Sequence, residues 1–246
     1  MLTPDDYTYL HDLEKKDSHL KDILARYEEE NNFILSRMNH EIRNPLTLIN
    51  STMQLMSHKA PELKESKYWN QMGEDMEDLF SLLDGLSRFT HSEELRYEQC
   101  NLIQMLTQLK ISFEPFAKEK NTSITIIIKQ GVHDIASDYN CDSIKLKQVF
   151  TNLLKNAIEA IHKESGNIQI ILDTDNEHSF SIHIIDNGEG IPVNMLDQIF
   201  TPFITSKQGG SGLGLPTAKR IILSHGGNIS VNCLDGFTDF HIQLPI

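Results

Sequence analysis

Apolar side chains recur at helical spacing through the first third of the chain. From Leu10 to Met56 the steps are three, four or seven residues, which is the pattern of one seam along a helix. After residues 57–61, which end in a proline, a second series from Trp69 to Leu86 repeats this spacing. The pattern predicts an antiparallel hairpin whose first arm is one long helix or two nearly continuous ones. The first series is Leu10, Leu13, Leu20, Leu24, Tyr27, Ile34, Met38, Ile42, Leu46, Ile49, Met53 and Met56, and the second is Trp69, Met72, Met76, Leu79, Leu83 and Leu86.

Two helices with narrow apolar seams cannot enclose a core by themselves. Pairing with a second copy of the chain into a four-helix bundle is the simplest way to bury both seams. The charged residues between the apolar positions would then face solvent. The pattern therefore predicts a homodimer that forms through the helical hairpin.

From about Ser92 the pattern changes to short apolar and β-branched runs that alternate with helical segments. The expected fold class is α+β, in which the dimeric four-helix bundle is followed by an α/β sandwich of mixed strands and helices. Asp142 is the expected N-cap of the second helix in this part. The expected helices are 102–118, 143–162 and a segment that ends near 224, and the expected strands are 123–128, 168–173, 180–186, 228–232 and 237–244.

Composition narrows the class of protein. The 246 residues include 39% hydrophobic side chains, enough for ordinary buried cores, and carry a formal net charge of −13. So acidic a chain disfavours nucleic acid or an anionic membrane as its partner. No run of about 18 apolar residues and no apolar leader is present, which predicts a cytoplasmic protein without a transmembrane segment. The cysteines Cys100, Cys141 and Cys233 have no C-x-x-C spacing and are expected to be free thiols.

A histidine on the first helix is placed to act as a nucleophile. His40 lies two positions from both Met38 and Ile42, about 200° around the helix, so the spacing predicts an outward-facing imidazole. Neutral imidazole is a good nucleophile near pH 7, and the adjacent Glu41 carboxylate can accept the proton of one ring nitrogen while the other attacks. Pro45 removes one helical hydrogen bond nearby and is expected to bend or loosen the helix. By spacing alone, such a histidine is more often part of an ordinary solvated face.

Residues 39–46 read N-H-E-I-R-N-P-L, and this string resembles the H-box of histidine kinases of the HisKA type. The resemblance implies that His40 accepts a phosphoryl group from ATP and passes it to an aspartate on the receiver domain of a response regulator. It implies that Glu41 is the general base. Asn44, one turn from His40 on the same face, is implied to orient water when the protein dephosphorylates that partner.

The helix expected over 143–162 carries amide side chains on one polar edge. Helical spacing places Asn152, Asn156 and Glu159 on this edge, while the apolar positions between them point inward. Because Mg²⁺ takes oxygen ligands and keeps several waters, an amide oxygen with triphosphate oxygens makes a credible shell. Without further context, a pair of helix asparagines would more often be ordinary surface.

Two glycine-rich segments follow this helix. Residues 186–191 read D-N-G-E-G-I directly after a strand, where Asp186 can accept a hydrogen bond from an exocyclic amine and the glycines allow close backbone approach. Residues 209–215 read G-G-S-G-L-G-L and open a helix whose N-terminal amides suit phosphate oxygens. The second segment is not a Walker motif, because no G-K-[ST] closes it.

In order and spacing, these segments resemble the N, G1 and G2 boxes of the GHKL family of ATP-binding domains, and F-T-P-F at 200–203 resembles its F-box. The resemblance covers about residues 102–244 and implies that Asn156 is the main Mg²⁺ ligand, that Asn152 assists it, and that Asp186 reads adenine. The residues implied to shape the lid or bind the nucleotide are Gly188, Gly190, Gly210, Gly212, Leu213 and Gly214.

The two resemblances together imply three domains. Residues 1–30 would be a signalling helix or coiled-coil entry, residues 31–92 the dimerisation and histidine phosphotransfer domain, and residues 93–246 the catalytic ATP-binding domain. Beside the F-box, Thr205 and Lys207 supply a hydroxyl and a cation suited to a triphosphate.

One departure from the family pattern concerns charge. Many histidine kinases carry N-A-I-K-Y with a phosphate-contacting lysine, whereas residues 156–160 read N-A-I-E-A, a form that resembles a subset of the family. Glu159 cannot neutralise phosphate, so another cation is needed. The candidates are Lys155, His162, Lys163 and Lys207, of which Lys207 is preferred.

Two other functions fit parts of the sequence. A GHKL ATPase of the gyrase, mismatch-repair or chaperone kind would resemble the second part, but those enzymes place a water-activating glutamate where this chain has Asn152, a poor base. A scaffold protein with a degenerate nucleotide domain would keep the helical hairpin. The intact glycine segments argue against this second alternative.

Overall fold

The structure is a computed structural model that describes residue 13 and residues 17–175, 179–207, 210–234 and 236–246. Leu10, the first position of the predicted seam, lies outside these residues, as does most of the segment before residue 17. Among the described helices, none combines the length and the apolar character needed to cross a membrane.

The chain divides into two compact units. The first comprises Met1–His91 together with Thr205–Ser211, and the second comprises Ser92–Ile204 and Gly212–Ile246. The division after His91 lies one residue from the boundary expected at residue 92. The functions assigned to the domains in the sequence analysis stay predictions.

The first unit contains two long helices, α1 (Ser18–Lys59) and α2 (Lys67–Thr90), joined by a 3₁₀ turn at Pro61–Glu65. Helix α1 begins after Asp17, whose carboxylate accepts hydrogen bonds from the backbone amides of His19 and Leu20. From Ser18 to Lys59 the first arm is one continuous helix, and the part of the predicted arm before Asp17 lies mostly outside the described residues. Pro45 lies inside α1, and the helix continues past it. A proline removes only one backbone hydrogen bond of the helix, and the contacts of α1 with α2 help to hold the helix together.

In the single chain, the apolar residues of the predicted seam on α1 divide into a buried inner stripe and an exposed outer stripe. Met53 is buried, as are Met76 and Leu83 of α2, whereas Met38 and Ile42 remain 50% and 46% exposed. Steps of three, four and seven residues place both stripes in one series, and the burial of that whole series by a second copy stays a prediction.

We call the exposed series the outer stripe. Its members lie on both helices and are 41–62% exposed in the single chain. They are Ile23, Tyr27, Ile34, Met38, Ile42, Ile49 and Met56 on α1, and Met72 and Leu79 on α2.

The second unit is an α/β sandwich built on a five-stranded sheet in the order β2-β4-β5-β7-β6. Strands β2 and β4 are parallel and the other neighbours are antiparallel. A separate pair, β1 and β3, forms a small antiparallel sheet. The strands are β1 (Glu98–Cys100), β2 (Thr122–Ile128), β3 (Tyr139–Cys141), β4 (Gly166–Asp175), β5 (Ser179–Asp186), β6 (Asn228–Leu234) and β7 (Phe237–Pro245).

Helices pack on one face of the five-stranded sheet. Buried residues alternate with less buried ones along β4 and β7, which is the pattern of strands with one covered face. Helix α5 turns a continuous apolar side toward the core, including Phe150, Leu153 and Leu154. The helices of this unit are α3 (Leu102–Glu119), α4 (His133–Ala136), α5 (Ser143–Glu159), α6 (Val193–Leu196) and α7 (Gly214–Ser224).

The α+β fold class expected from the sequence is confirmed. Asp142 caps α5 as expected, since its Oδ1 accepts a hydrogen bond from the Lys145 amide at 2.9 Å. Helix α5 ends at Glu159 rather than near residue 162.

All three cysteines are free, and burial raises the pKa of Cys141 to about 12, so this thiol stays protonated.

Candidate functional site

His40 is exposed on α1, as its spacing predicted. The residue before it, Asn39, is only 3% exposed and donates a hydrogen bond from Nδ2 to the Leu83 carbonyl oxygen of α2 at 2.9 Å. One turn later, Arg43 Nη2 lies 2.6 Å from Asp84 Oδ1. Two polar links between the helices therefore lie beside the exposed imidazole.

The predicted partners of His40 also lie on the surface of α1. Glu41 Oε1 accepts a hydrogen bond from Arg37 Nε at 3.0 Å, and both side chains are more than half exposed. Asn44 is exposed one turn after His40. In the structure the Glu41 carboxylate is thus paired with Arg37, and its role as a base stays a prediction.

In the second unit, β5 ends at Asp186, which is 2% exposed. Asp186 Oδ1 accepts a hydrogen bond from the Gly188 amide at 2.9 Å. A Cβ atom on Gly188 would lie 2.7 Å from the Ala160 carbonyl oxygen and 2.8 Å from Asp186 Oδ1. The loop can therefore close against the aspartate only if residue 188 has no side chain. Gly190 has a φ of +79°, the left-handed conformation that glycine adopts readily.

Helix α5 contacts both glycine segments. Asn152 Nδ2 donates to the Gly214 carbonyl oxygen at 3.0 Å, and the Ala160 carbonyl oxygen accepts from the Glu189 amide at 3.0 Å. Positions 152, 156 and 160 are four residues apart and lie along one side of the helix. The partly buried Asn156 is therefore placed between the two segments.

The second glycine segment leads directly into α7. The Phe203 amide donates to the Gly212 carbonyl oxygen at 3.0 Å, and a Cβ on Gly212 would lie 2.6 Å from the Phe203 carbonyl carbon. Leu213 is buried and precedes Gly214, and no side chain caps the first amides of α7. Uncapped amides at the positive end of a helix dipole suit an anion such as a phosphate.

Thr205, Lys207 and Gly210 are linked by hydrogen bonds of backbone amides. The Lys207 amide donates to Thr205 Oγ1 at 3.1 Å, and the Gly210 amide donates to the Lys207 carbonyl oxygen at 3.2 Å. These three residues are grouped with the first unit, whereas Asn152, Asn156, Asp186, Gly212 and Gly214 lie in the second. The contact of Thr205 and Lys207 with a nucleotide stays a prediction.

The departure at Glu159 has a local electrostatic consequence. Lys155 Nζ lies 3.8 Å from Glu159 Oε1 on the same face of α5, and the lysine side chain is 68% exposed. Each side chain offsets the other's charge at this edge. Lys155 is therefore a weaker candidate for the compensating cation than its position in the sequence suggests.

The donor set fits a magnesium nucleotide better than a metal held by the protein alone. Among the described residues, no group of three or more histidine, cysteine, aspartate or glutamate side chains could hold a metal ion. Asn152 and Asn156 offer amide oxygens, the kind of neutral hard ligand that Mg²⁺ accepts alongside phosphate oxygens and water.

His225 is a buried residue whose role the sequence pattern did not predict. Its Nε2 accepts a hydrogen bond from the Asp142 amide at 3.1 Å, and its Nδ1 lies 2.7 Å from the Ile221 carbonyl oxygen. The ring also contacts Tyr97 edge-on at 5.7 Å between centroids. Burial lowers the pKa of His225, so the neutral ring with a proton on Nδ1 fits both hydrogen bonds. The only sequence signal for this role was the H-G-G string that follows α7.

Residues 141–246 match the family described as histidine kinase-, DNA gyrase B-, and HSP90-like ATPase. Sporulation kinase A of Bacillus subtilis (strain 168) is 34% identical over 209 residues, which are 84% of this chain and 33% of that protein. The fold resembles that of full-length ShkA in complex with AMPPNP, with a TM-score of 0.70 and 22% identity, over 86% of this chain and 45% of that one. Histidine kinase ThkA in complex with the response regulator protein TrrA gives a TM-score of 0.64 and 26% identity, over 92% of this chain and 66% of that one.

The second unit thus contains an ATP-binding domain of the GHKL class. Together with the helical hairpin that precedes this domain, the chain is similar to histidine kinases over most of its length. It spans about a third of the length of sporulation kinase A, 33% by the aligned residues.

Proposed function

We propose that the protein is a histidine protein kinase that transfers the γ-phosphoryl group of ATP to His40 and then to an aspartate on the receiver domain of a response regulator. The observation that carries the proposal is the exposed imidazole of His40 on α1 in a chain that also contains a GHKL-class domain. The named partner of ThkA, a response regulator protein, supports the second step.

The nucleotide would be held by residues of the second unit. Asp186, at the end of β5, accepts a hydrogen bond from the exocyclic amine of adenine, and Gly188 lets the loop pack closely against Asp186. Asn156 and Asn152 offer amide oxygens to Mg²⁺, and the first amides of α7 face the phosphates. When bound, Mg²⁺ neutralises phosphate charge and so stabilises the transition state for phosphoryl transfer.

At His40 the chemistry is a displacement on phosphorus. One imidazole nitrogen forms the N–P bond as the bond from phosphorus to the β,γ-bridging oxygen breaks, and ADP leaves. The proton on the other ring nitrogen passes to Glu41. That step requires Glu41 to leave Arg37, and an exposed ion pair of this kind is worth only about 0.2–1 kcal/mol.

A second copy of the chain covers the outer stripe. Large apolar side chains at helical spacing on α1 and α2 are about half exposed in the single chain, and a stripe of this length on a soluble helix is typical of a helix–helix interface. A homodimer through the hairpin, in which each helix has one inner and one outer contact, satisfies both stripes.

Asn44, exposed one turn after His40, is the residue we assign to water positioning in dephosphorylation of the partner.

Incubation with radiolabelled ATP tests the function. We expect label that is lost in acid and retained in alkali, because phosphohistidine is acid-labile and alkali-stable. The variant His40→Gln should take up no label while it still binds nucleotide. His58→Gln, at another exposed histidine of α1, is the matched control and should label normally. Label that persists in His40→Gln would mean that another residue is the acceptor.

A further inference from the structure

A polar contact inside the helical hairpin lies directly beside the phosphate-accepting histidine. Asn39 is 3% exposed, although the rest of the buried contact between α1 and α2 includes apolar residues such as Met53, Met76 and Leu83. Its Nδ2 donates to the Leu83 carbonyl oxygen at 2.9 Å. The ion pair of Arg43 with Asp84, the residue after Leu83, is close by along both helices.

The stability of the hairpin does not explain this amide. Within the described part of the chain, Asn39 Oδ1 is buried and has no hydrogen-bond partner. A buried oxygen without a partner loses its hydration and gains nothing in return. A leucine at this position would have nearly the same size and would bury only apolar atoms, so asparagine weakens the contact that it occupies.

The Asn39 amide does restrict how α1 can rotate and slide against α2. Apolar side chains tolerate small rotations and slips of one helix against another, whereas a hydrogen bond to one particular carbonyl oxygen does not. Successive residues of a helix are about 100° apart, so fixing Asn39 inward fixes His40 toward solvent. A buried asparagine that sets the register of paired helices is the best-attested use of such a residue.

We propose that Asn39 is a positioning residue for phosphoryl transfer at His40: its buried amide, bonded to the Leu83 carbonyl oxygen, fixes the rotation of α1 against α2 and so the direction of the imidazole. The Arg43–Asp84 pair, which is partly exposed, supports the same arrangement. This inference rests on the function proposed above.

The test is Asn39→Leu in the full chain. We expect a melting temperature equal to or above that of the wild type and unchanged nucleotide affinity. The rate constant for autophosphorylation should fall by about tenfold or more with the KM for ATP unchanged, because a small misplacement of a reacting group is costly. A residue that is merely structural would instead lower stability and activity together.

The matched control is Asn50→Leu. Asn50 is a partly buried asparagine on the same helix, eleven positions after Asn39, and it should label at the wild-type rate. A second readout needs no kinase activity: modification of each histidine by diethyl pyrocarbonate, followed by mass spectrometry. In Asn39→Leu the reactivity of His40 should fall, and that of His58 should not change.

Wild-type labelling and wild-type His40 reactivity in Asn39→Leu would overturn the inference. If the wild type itself takes no label, the proposed function fails, and the histidine reactivities alone decide whether Asn39 orients residue 40. If Asn39→Leu does not fold, Asn39→Ser takes its place, with a smaller side chain whose hydroxyl is too short to reach across in the same way. A normal rate in that variant would equally overturn the inference.

Discussion

At the end of β5, the chain needs a residue without a side chain. Gly188 packs against the carbonyl oxygen of Ala160, the residue after α5, and against the Asp186 carboxylate, and a Cβ would lie 2.7 Å and 2.8 Å from these oxygens. Real Cβ atoms do not approach backbone oxygens so closely, so the loop would have to move. This loop also carries the hydrogen bond that orients Asp186.

We expect Gly188→Ala to weaken nucleotide binding by about tenfold or more, because the shifted loop releases the Asp186 carboxylate from its amide donor. Titration with a fluorescent ATP analogue measures the change. Gly131→Ala is the control, since Gly131 has a φ of +88° with open space around it. That control should lose about 1 kcal/mol of stability and no affinity. Equal affinities in both variants would contradict the packing argument.

Single residues were predicted well where periodicity alone decides their environment. The outward direction of His40 follows from its helical position, and the structure has it exposed. The burial of Asn39 could not be predicted, because a polar residue in a helix is normally assigned to the solvent side. The contact of Glu41 with Arg37 was not predicted, because an exposed ion pair of this kind contributes little free energy and so leaves no clear signal in the sequence.

Among the elements, the N-terminus of α5 is hydrogen-bonded to the residue that follows the C-terminus of α7. Both of these helix ends lie away from the glycine segments. His225, just after α7, accepts a hydrogen bond from the amide of Asp142, the N-cap of α5. Asp142 Oδ2 also accepts a hydrogen bond from the Arg96 amide at 2.8 Å. Because α5 presents Asn156 and α7 begins at Gly214, this network fixes the two helices that flank the candidate nucleotide site.

The network should make the second unit sensitive to acid. Burial lowers the pKa of His225 in the folded state, so the unfolded chain binds more protons near this pKa. The stabilisation is complete above the unfolded pKa of about 6.5 and is lost as the pH falls through that value toward the folded pKa. The limit is about 1.4 kcal/mol per pH unit for one proton.

His225→Gln should flatten this dependence, since a glutamine amide can donate to Ile221 and accept from Asp142 but does not titrate. Calorimetry of the full chain at pH 7 and below pH 6 would show a smaller drop in the melting temperature of the second unit. Some drop should remain, because burial also lowers the pKa of His241. His133→Gln, at an exposed histidine of α4, is the control. If the melting temperature of His225→Gln falls as much as that of the wild type, His225 is not the cause of the acid sensitivity.

The long elements were predictable and the short ones were not. Helix α3, strand β2 and strand β5 lie within a residue or two of their expected ranges, because each has a full helical or β-branched pattern. Strands β1 and β3 have only three residues each and pair with each other at a distance in sequence. Three residues carry no periodicity, so only the tertiary fold makes them a sheet.

For the whole molecule, the sequence predicted an α+β chain with a helical part and a sandwich, and this was confirmed. The grouping of Thr205–Ser211 with the first unit was not predictable, because contacts between distant segments leave no mark on local pattern. The motifs of the candidate site could be predicted from the sequence. Only the structure shows that residues on one side of α5 and at its end contact both Gly188 and Gly214.

The outer stripe gives the prediction that concerns the assembled protein. Leu48 and Ile49 are neighbours on α1, 70% and 48% exposed. Ile49 belongs to the outer stripe, whereas Leu48 lies about 100° away, on the face that carries His40 and Asn44. If a second copy covers the outer stripe, the same substitution should disrupt assembly at Ile49 and leave it unchanged at Leu48.

Ile49→Glu should therefore convert the dimer to a monomer, and Leu48→Glu should leave it intact. A glutamate in the covered stripe would be an unpaired buried charge, which costs about 3–5 kcal/mol, or roughly two to four orders of magnitude in the dissociation constant, for each copy. Sedimentation equilibrium of both variants and the wild type measures the change. Both variants add one negative charge to a chain that already carries −13, so general repulsion affects them equally. Monomers in both variants would point to repulsion, and dimers in both would mean that the two copies meet through another surface.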